Sequence, residues 1–177
     1  MGYPKIANFD KTIIRRTKQN LENYSGSSDF TFLLSQCLAL IILPIEFYKK
    51  GARMEYDFLK NKVDRNQRLK SIFDCTRDVA LQNEDGSTTK RKKAEFKTNQ
   101  GKKKTTSDVD IQELFFKIRN SIAHWGVTPV KSGDHWVGII LKNVNKKKIT
   151  TMDVYVAESE LKELCIYVGE KWEQCAK

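Results

Sequence analysis

The chain contains several long stretches in which apolar residues recur every three or four positions, separated by polar stretches. In an α-helix, this spacing places the apolar side chains on one face, which can pack against a core. The pattern predicts five helices, beginning near Asp10, Asp29, Tyr56, Asp110 and Ser159.

The second and third of these stretches are less regular than the others. Residues 30–50 are rich in Leu and Ile, which predicts a helix that is buried on most sides and ends at Gly51. Pro44 lies within it and predicts a kink, because proline lacks a backbone N–H and clashes with the preceding turn. The third helix is predicted to extend from about Tyr56 to about Val79.

The fourth helix has the clearest pattern. Its apolar stripe consists of Ile111, Leu114, Phe115, Ile118 and Ile122. Asp108 or Asp110 is suited to cap its N-terminus. Trp125-Gly126 is predicted to end it, with Gly126 in the left-handed conformation that favours glycine.

Two strand-like runs follow this helix, over residues 136–143 and 149–156, and predict a β-hairpin over residues 136–156. Residues 82–107 are polar and lack periodicity, which predicts a flexible basic loop. The expected fold is therefore mainly α: a bundle of four to five helices with a β-hairpin before the last helix. The length predicts a single domain over residues 1–177.

The net charge of +10 is concentrated in one segment, which has a single acid, Glu95, and carries +7 of the total. Its basic residues are Lys90, Arg91, Lys92, Lys93, Lys97, Lys102, Lys103 and Lys104. Such a loop can bind RNA phosphates, and a solvated loop is the alternative. Trp125 is a candidate for stacking on bases, with core packing as its alternative.

Other sequence features limit the location and the chemistry. The N-terminus has no secretion signal, and the most apolar stretch is too short to span a bilayer, so we expect a cytoplasmic protein without a membrane partner. The four cysteines form no close pair, and the chain has only two histidines. This composition predicts no metal site and no cofactor.

Three polar residues near the end of the fourth helix are candidates for chemistry. Asn120 and His124 are four residues apart and share a face nearly opposite the apolar stripe. Arg119 lies on one flank of the stripe, about 140° from His124 around the helix. Taken singly, His124 fits an exposed helix terminus, and Arg119 fits a side chain that covers apolar surface.

The segment Arg119-Asn120-Ser121-Ile122-Ala123-His124 resembles the R-polar-x-x-x-H signature of the HEPN superfamily, which sits late in an apolar helix. LLSQCLALIILPIEF is similar to the second helix of small prokaryotic HEPN proteins of the plasmid and defence type. The resemblance implies a HEPN-like bundle and a homodimer that brings both motifs into one cleft. It also implies metal-independent RNA cleavage in a toxin or phage-defence role, with an antitoxin or defence-system protein as a possible partner.

The motif residues suit cleavage of RNA by attack of the ribose 2′-OH, which needs a base, an acid and positive charge at the phosphate. Two copies of His124 can supply the base and the acid. Arg119 can stabilise the phosphorane oxygens, and Asn120 can orient His124 or hold the phosphate. The alternative is a non-catalytic HEPN-type module that binds RNA, a nucleotide or a protein partner.

Overall fold

The computed structural model describes residues 9–23, 32–36, 39–42, 57–83 and 85–175. Residues 32–36 and 39–42 are helical, and a short 3₁₀ helix spans Val63–Arg65. The other helices are α1 (Phe9–Glu22), α2 (Asp57–Lys60), α3 (Gln67–Ile72), α4 (Ile111–Ala123) and α5 (Glu158–Cys175). The strands are β1 (Asp78–Gln82), β2 (Thr88–Lys92), β3 (Ala94–Lys97), β4 (Lys103–Lys104), β5 (Val127–Ser132), β6 (His135–Val144) and β7 (Thr150–Ala157).

Five strands form an antiparallel sheet in the order β4-β3-β7-β6-β5. Alternate residues of the central strands are buried, as expected for a sheet with one face on a core. Met152 and Val154 of β7 lie opposite Phe96 of β3 and Leu141 of β6, and all four side chains are buried. This face of the sheet therefore forms one wall of the core.

Helices complete the core. The helix that carries the Arg119 motif, α4, packs against β6, and α5 packs against β6, β7 and α1. Trp172 of α5 is fully buried and meets the edge of Phe58 with the ring centroids 5.5 Å apart. Because α4 has buried residues from Ile111 to Ser121, the core holds most of this helix in place.

The prediction of a mainly α-helical bundle is wrong, because the structure contains two antiparallel sheets, one of two strands and one of five. Residues 82–107, where a loop was predicted, contain β2, β3 and β4. The β1–β2 ribbon is held by cross-strand hydrogen bonds, and most of its side chains are exposed. Hydrophobic periodicity therefore did not predict the β1–β2 ribbon. In β3, Ala94 and Phe96 are buried and Glu95 is exposed. This short alternation was not recognised as a strand because lysines flank it on both sides.

The third predicted helix, from Tyr56 to Val79, is also wrong in its extent. It is divided into α2, the 3₁₀ helix and α3, and the chain continues into β1. Asn66 is the reason for one break, because its backbone is extended and its side chain accepts a hydrogen bond from the Leu69 N–H, which starts α3.

The remaining expectations concern the hairpin, the kink and membrane insertion. Strands β6 and β7 pair antiparallel where the hairpin was predicted. The kink at Pro44 lies outside the described residues. Among the helices in the described part of the chain, none combines the length and the apolar character needed to cross a membrane.

Candidate active site at the end of α4

The first half of α4 is anchored on the sheet. Of the two predicted cap residues, Asp110 caps the helix: its carboxylate accepts a hydrogen bond from the Glu113 N–H at 2.7 Å. Lys117 is buried and donates to the carbonyl oxygens of Lys97 (3.1 Å) and Thr151 (2.9 Å), which belong to β3 and β7. These bonds tie the middle of the helix to two strands, so the helix cannot rotate without breaking them.

A carboxylate between two lysines strengthens this anchor. Glu113 pairs with Lys104 of β4 at 2.6 Å and with Lys117 at 3.1 Å. Burial raises the pKa of the Glu113 carboxyl, but the hydrogen bonds from Lys104 and Lys117 outweigh it, and the net pKa is lowered. Burial lowers the pKa of Lys117 from its ordinary value. This cluster was not predicted from the sequence, although the spacing of Glu113 and Lys117 permits an ion pair on one helix.

The C-terminus of α4 turns sharply into β5. The Gly126 N–H donates to the Ser121 carbonyl at 2.6 Å, and the Trp125 N–H donates to the Ile122 carbonyl at 3.4 Å. This pair of bonds is a Schellman motif, and its left-handed residue is Trp125, with φ of 58°. The expectation that Gly126 adopts the left-handed conformation is therefore wrong.

Gly126 is needed at the turn for another reason. A Cβ on this residue would lie 2.0 Å from the carbonyl oxygen of Lys142 in β6. The Lys142 N–H in turn donates to the Gly126 carbonyl at 2.7 Å. The end of α4 is thus fixed against the sheet, and the side chain of Trp125 is 95% exposed beside it.

Asn120 connects the other two motif residues. The Arg119 Nη1 donates to the Asn120 Oδ1 at 3.0 Å, and the backbone N–H of His124 donates to the Asn120 carbonyl at 3.0 Å. Arg119 and Asn120 are half-buried, whereas His124, the C-cap residue, is exposed. The hydrogen bond turns the Arg119 guanidinium towards the face that Asn120 shares with His124. The guanidinium of Arg119 therefore reaches the side chain of Asn120, and His124 is exposed one helical turn further on.

A family model matches residues 1–174 and describes the HEPN pEK499 p136 family. The chain belongs to this family. No significant match was found among curated proteins or among solved structures. Membership supports an RNA-related, nuclease-type function in general terms.

Lys93 differs from the other basic residues of this HEPN protein because it is fully buried. Its ammonium donates to Glu160 at 2.7 Å and lies 5.6 Å from the ring centroid of Tyr155. Because Lys93 is buried and paired with Glu160, its ammonium is not accessible to RNA phosphates. Burial also raises the pKa of the Tyr155 hydroxyl.

Three further residues of the basic segment have acidic partners: Arg91 pairs with Asp153, Lys92 with Asp78 and Lys104 with Glu113. Lys90, Lys102 and Lys103 are exposed, and Lys97 is half-buried. For these four, the described residues contain no ion pair. The cations that remain available to RNA are fewer than the sequence count indicates.

The second histidine, His135, starts β6 and is exposed at the turn between β5 and β6. No group of three or more His, Cys, Asp or Glu side chains suited to a metal ion occurs in the described ranges.

Proposed function

We propose that this HEPN protein is a metal-independent endoribonuclease and that a homodimer forms its active site. The observation that carries the proposal is the arrangement at the end of α4: Asn120 holds the guanidinium of Arg119, and His124 is exposed one helical turn further on. In a HEPN family member, these are the residue types and the spacing of the R-polar-x-x-x-H motif.

The proposed reaction is an internal transfer of the phosphate. One His124 imidazole takes the proton of the ribose 2′-OH, and the 2′ oxygen then forms a bond to the adjacent phosphorus. The bond from phosphorus to the 5′ oxygen breaks, and that oxygen receives a proton from the imidazolium of the second His124. The products are a 2′,3′-cyclic phosphate and a free 5′-OH. Arg119 stabilises the charge on the non-bridging oxygens.

Two chains are needed because each contributes one motif histidine, and the reaction uses one base and one acid. The exposure of His124 and Trp125 fits this requirement, since both are accessible for contact with a second copy and with RNA. A C2 dimer would place the same surface of both chains at the contact.

The biological role that we propose is that of a toxin or a phage-defence nuclease. In such a system, an antitoxin or another defence protein controls the activity. The corner formed by His124 and Trp125 is an accessible target for such a partner, because covering it would block the proposed catalytic residue.

The experiment is cleavage of single-stranded RNA in excess EDTA, with analysis of the product ends. Wild type is expected to leave cyclic phosphates, while His124→Ala and Arg119→Ala should cut at least about 100-fold more slowly and remain folded. His135→Ala is the matched control and should cleave at the wild-type rate. Undiminished cleavage by His124→Ala would contradict the proposal. A wild-type protein that binds RNA tightly without cutting it would instead indicate a non-catalytic binding module.

A further inference from the structure

A cleft of about 730 Å³ lies between the β1–β2 ribbon and strands β5 and β6. Leu81 of the ribbon lines one side, and Val130, Ile140 and Trp136 line the other. Its volume is in the range of sites that bind small organic molecules, about 300–1,000 Å³. The function proposed above does not use this cleft.

An aromatic ring and a cation lie together in the lining of the cleft. Trp136 and Lys131 are partners across the β5–β6 pair, next to a shift in strand register between Val130 and Lys131. The Lys131 ammonium lies 4.5 Å from the centroid of the Trp136 ring, and 37% of Trp136 is exposed. Such a pair offers a stacking surface beside a positive charge.

Two side-chain amides of the cleft lining are held by hydrogen bonds. The Asn83 amide donates to the hydroxyls of Ser87 (2.8 Å) and Thr89 (2.9 Å), and the Gln82 Oε1 accepts from Ser132 at 3.4 Å. Asn83 and Gln82 both line the cleft. None of the described lining residues is acidic, so their side chains do not repel a phosphate.

We propose that this cleft binds a nucleobase, with the base against Trp136, its phosphate near Lys131 and its polar edge near the amides of Gln82 and Asn83. A flat ring, an anionic group and a hydrogen-bonding edge match the three features of the cleft. The base belongs either to the RNA strand or to a free nucleotide. The choice of a nucleotide as the ligand rests on the proposed ribonuclease function.

The distance to the candidate active site permits one RNA strand to reach both. Thr128 lines the cleft and is four residues after His124. At about 3.3 Å per residue, the two α-carbons are separated by at most roughly 13 Å. The cleft would then hold a nucleotide of the same strand as the cleaved bond and would select among bases.

The first experiment is calorimetric titration of the His124→Ala protein with nucleoside 5′-monophosphates and with a single-stranded RNA oligomer. Trp136→Leu and Lys131→Met are each expected to weaken binding by about fivefold or more. Lys70→Met is the matched control for all these ligands, because Lys70 is exposed on α3 and does not line the cleft. The use of two cleft variants keeps the test valid if one of them fails to fold.

The affinities distinguish the two sources of the base. If the oligomer binds much more tightly than the mononucleotides, and only the cleft variants lose that advantage, the base belongs to the RNA strand. Mononucleotide binding that equals oligomer binding and is lost in the cleft variants indicates a free nucleotide. If neither cleft variant weakens any of these ligands, the inference is overturned. A wild-type protein that binds through the cleft but never cuts RNA would overturn the ribonuclease proposal alone.

Discussion

The charged side chains of the lysine-rich segment from Lys90 to Lys104 and those at the end of α4 have different neighbours. In the segment, four of the cations pair with acidic side chains of the same chain, and Lys93 among them is fully buried. At the end of α4, the guanidinium of Arg119 is oriented by the neutral Asn120, and His124 is exposed.

The comparison shows that a count of cations does not measure an RNA-binding surface. A lysine whose charge is compensated by a nearby carboxylate attracts a phosphate less strongly than an uncompensated one.

Replacement of Lys93 by Met should destabilise the fold strongly. The substitution leaves the Glu160 carboxylate largely buried without its ammonium partner, and we expect a loss of about 3 kcal/mol in the free energy of unfolding. Urea denaturation measures the loss. Lys102→Met, at an exposed position, is the control and should change the free energy by less than about 0.5 kcal/mol. Equal stability of Lys93→Met and wild type would show that the buried pair is not structural.

Replacement of Glu113 by Gln should have a smaller, pH-dependent effect. Because the folded-state pKa of Glu113 is lowered, its contribution is present above the unfolded pKa and is lost as the pH falls through the folded value. Wild type should exceed Glu113→Gln by about 1 kcal/mol at pH 7, and the difference should shrink below about pH 4.5. Urea denaturation at pH 7, 5 and 3 measures it. A difference that is independent of pH would contradict the ionised Lys104–Glu113–Lys117 cluster.

The sequence predicted the elements whose apolar residues repeat regularly. The stripe of α4 and the apolar face of the last helix are long enough to be recognised, and both helices are confirmed. The β1–β2 ribbon has no such pattern, because its side chains are mostly exposed. The burial of Lys93 depends on Glu160, which is 67 residues away in the chain, and no local pattern indicates such a partner.

For the candidate site, the sequence placed Asn120 and His124 on one face from helical geometry alone. It did not predict that Arg119 turns towards Asn120, because that direction depends on the side-chain conformation of a long, flexible residue. It also assigned the left-handed position to Gly126 and not to Trp125, since glycine is the usual residue there. Glycine is required at position 126 by its close contact with β6, which is a tertiary contact that the local sequence does not show.

The left-handed backbone conformation of Trp125 can be tested by substitution. Trp125→Gly should stabilise the fold by about 0.5–1 kcal/mol, because glycine adopts positive φ without a steric penalty. Trp125→Ala is the matched control: it removes the ring but retains most of the strain, so it should be less stable than Trp125→Gly. If Trp125 contacts RNA, both variants should also bind a single-stranded oligomer more weakly. Equal stability of the two variants would contradict the strained conformation.

The smallest effect is expected for the exposed lysines of the segment. The double substitution Lys102→Ser, Lys103→Ser should reduce the dependence of RNA affinity on salt, with the logarithmic slope falling by about 0.7 for each lysine that contacts a phosphate. Fluorescence anisotropy at several salt concentrations measures the slope. Lys70→Ser, an exposed lysine on α3, is the control and should leave it unchanged. An unchanged slope for the double variant would show that neither Lys102 nor Lys103 contacts an RNA phosphate.

The central proposal is that the ends of two α4 helices form one catalytic site, and mixed dimers test it most directly. Wild-type and His124→Ala chains are mixed in equal amounts, unfolded and refolded together so that they pair at random, and RNA cleavage is measured in EDTA. If the site needs His124 from both chains, the mixture should have about one quarter of the activity of the same total amount of wild-type protein. Only that share of the dimers has two copies of His124. If about one half of the activity remained, each chain would cut RNA by itself, and the two-chain site would be contradicted.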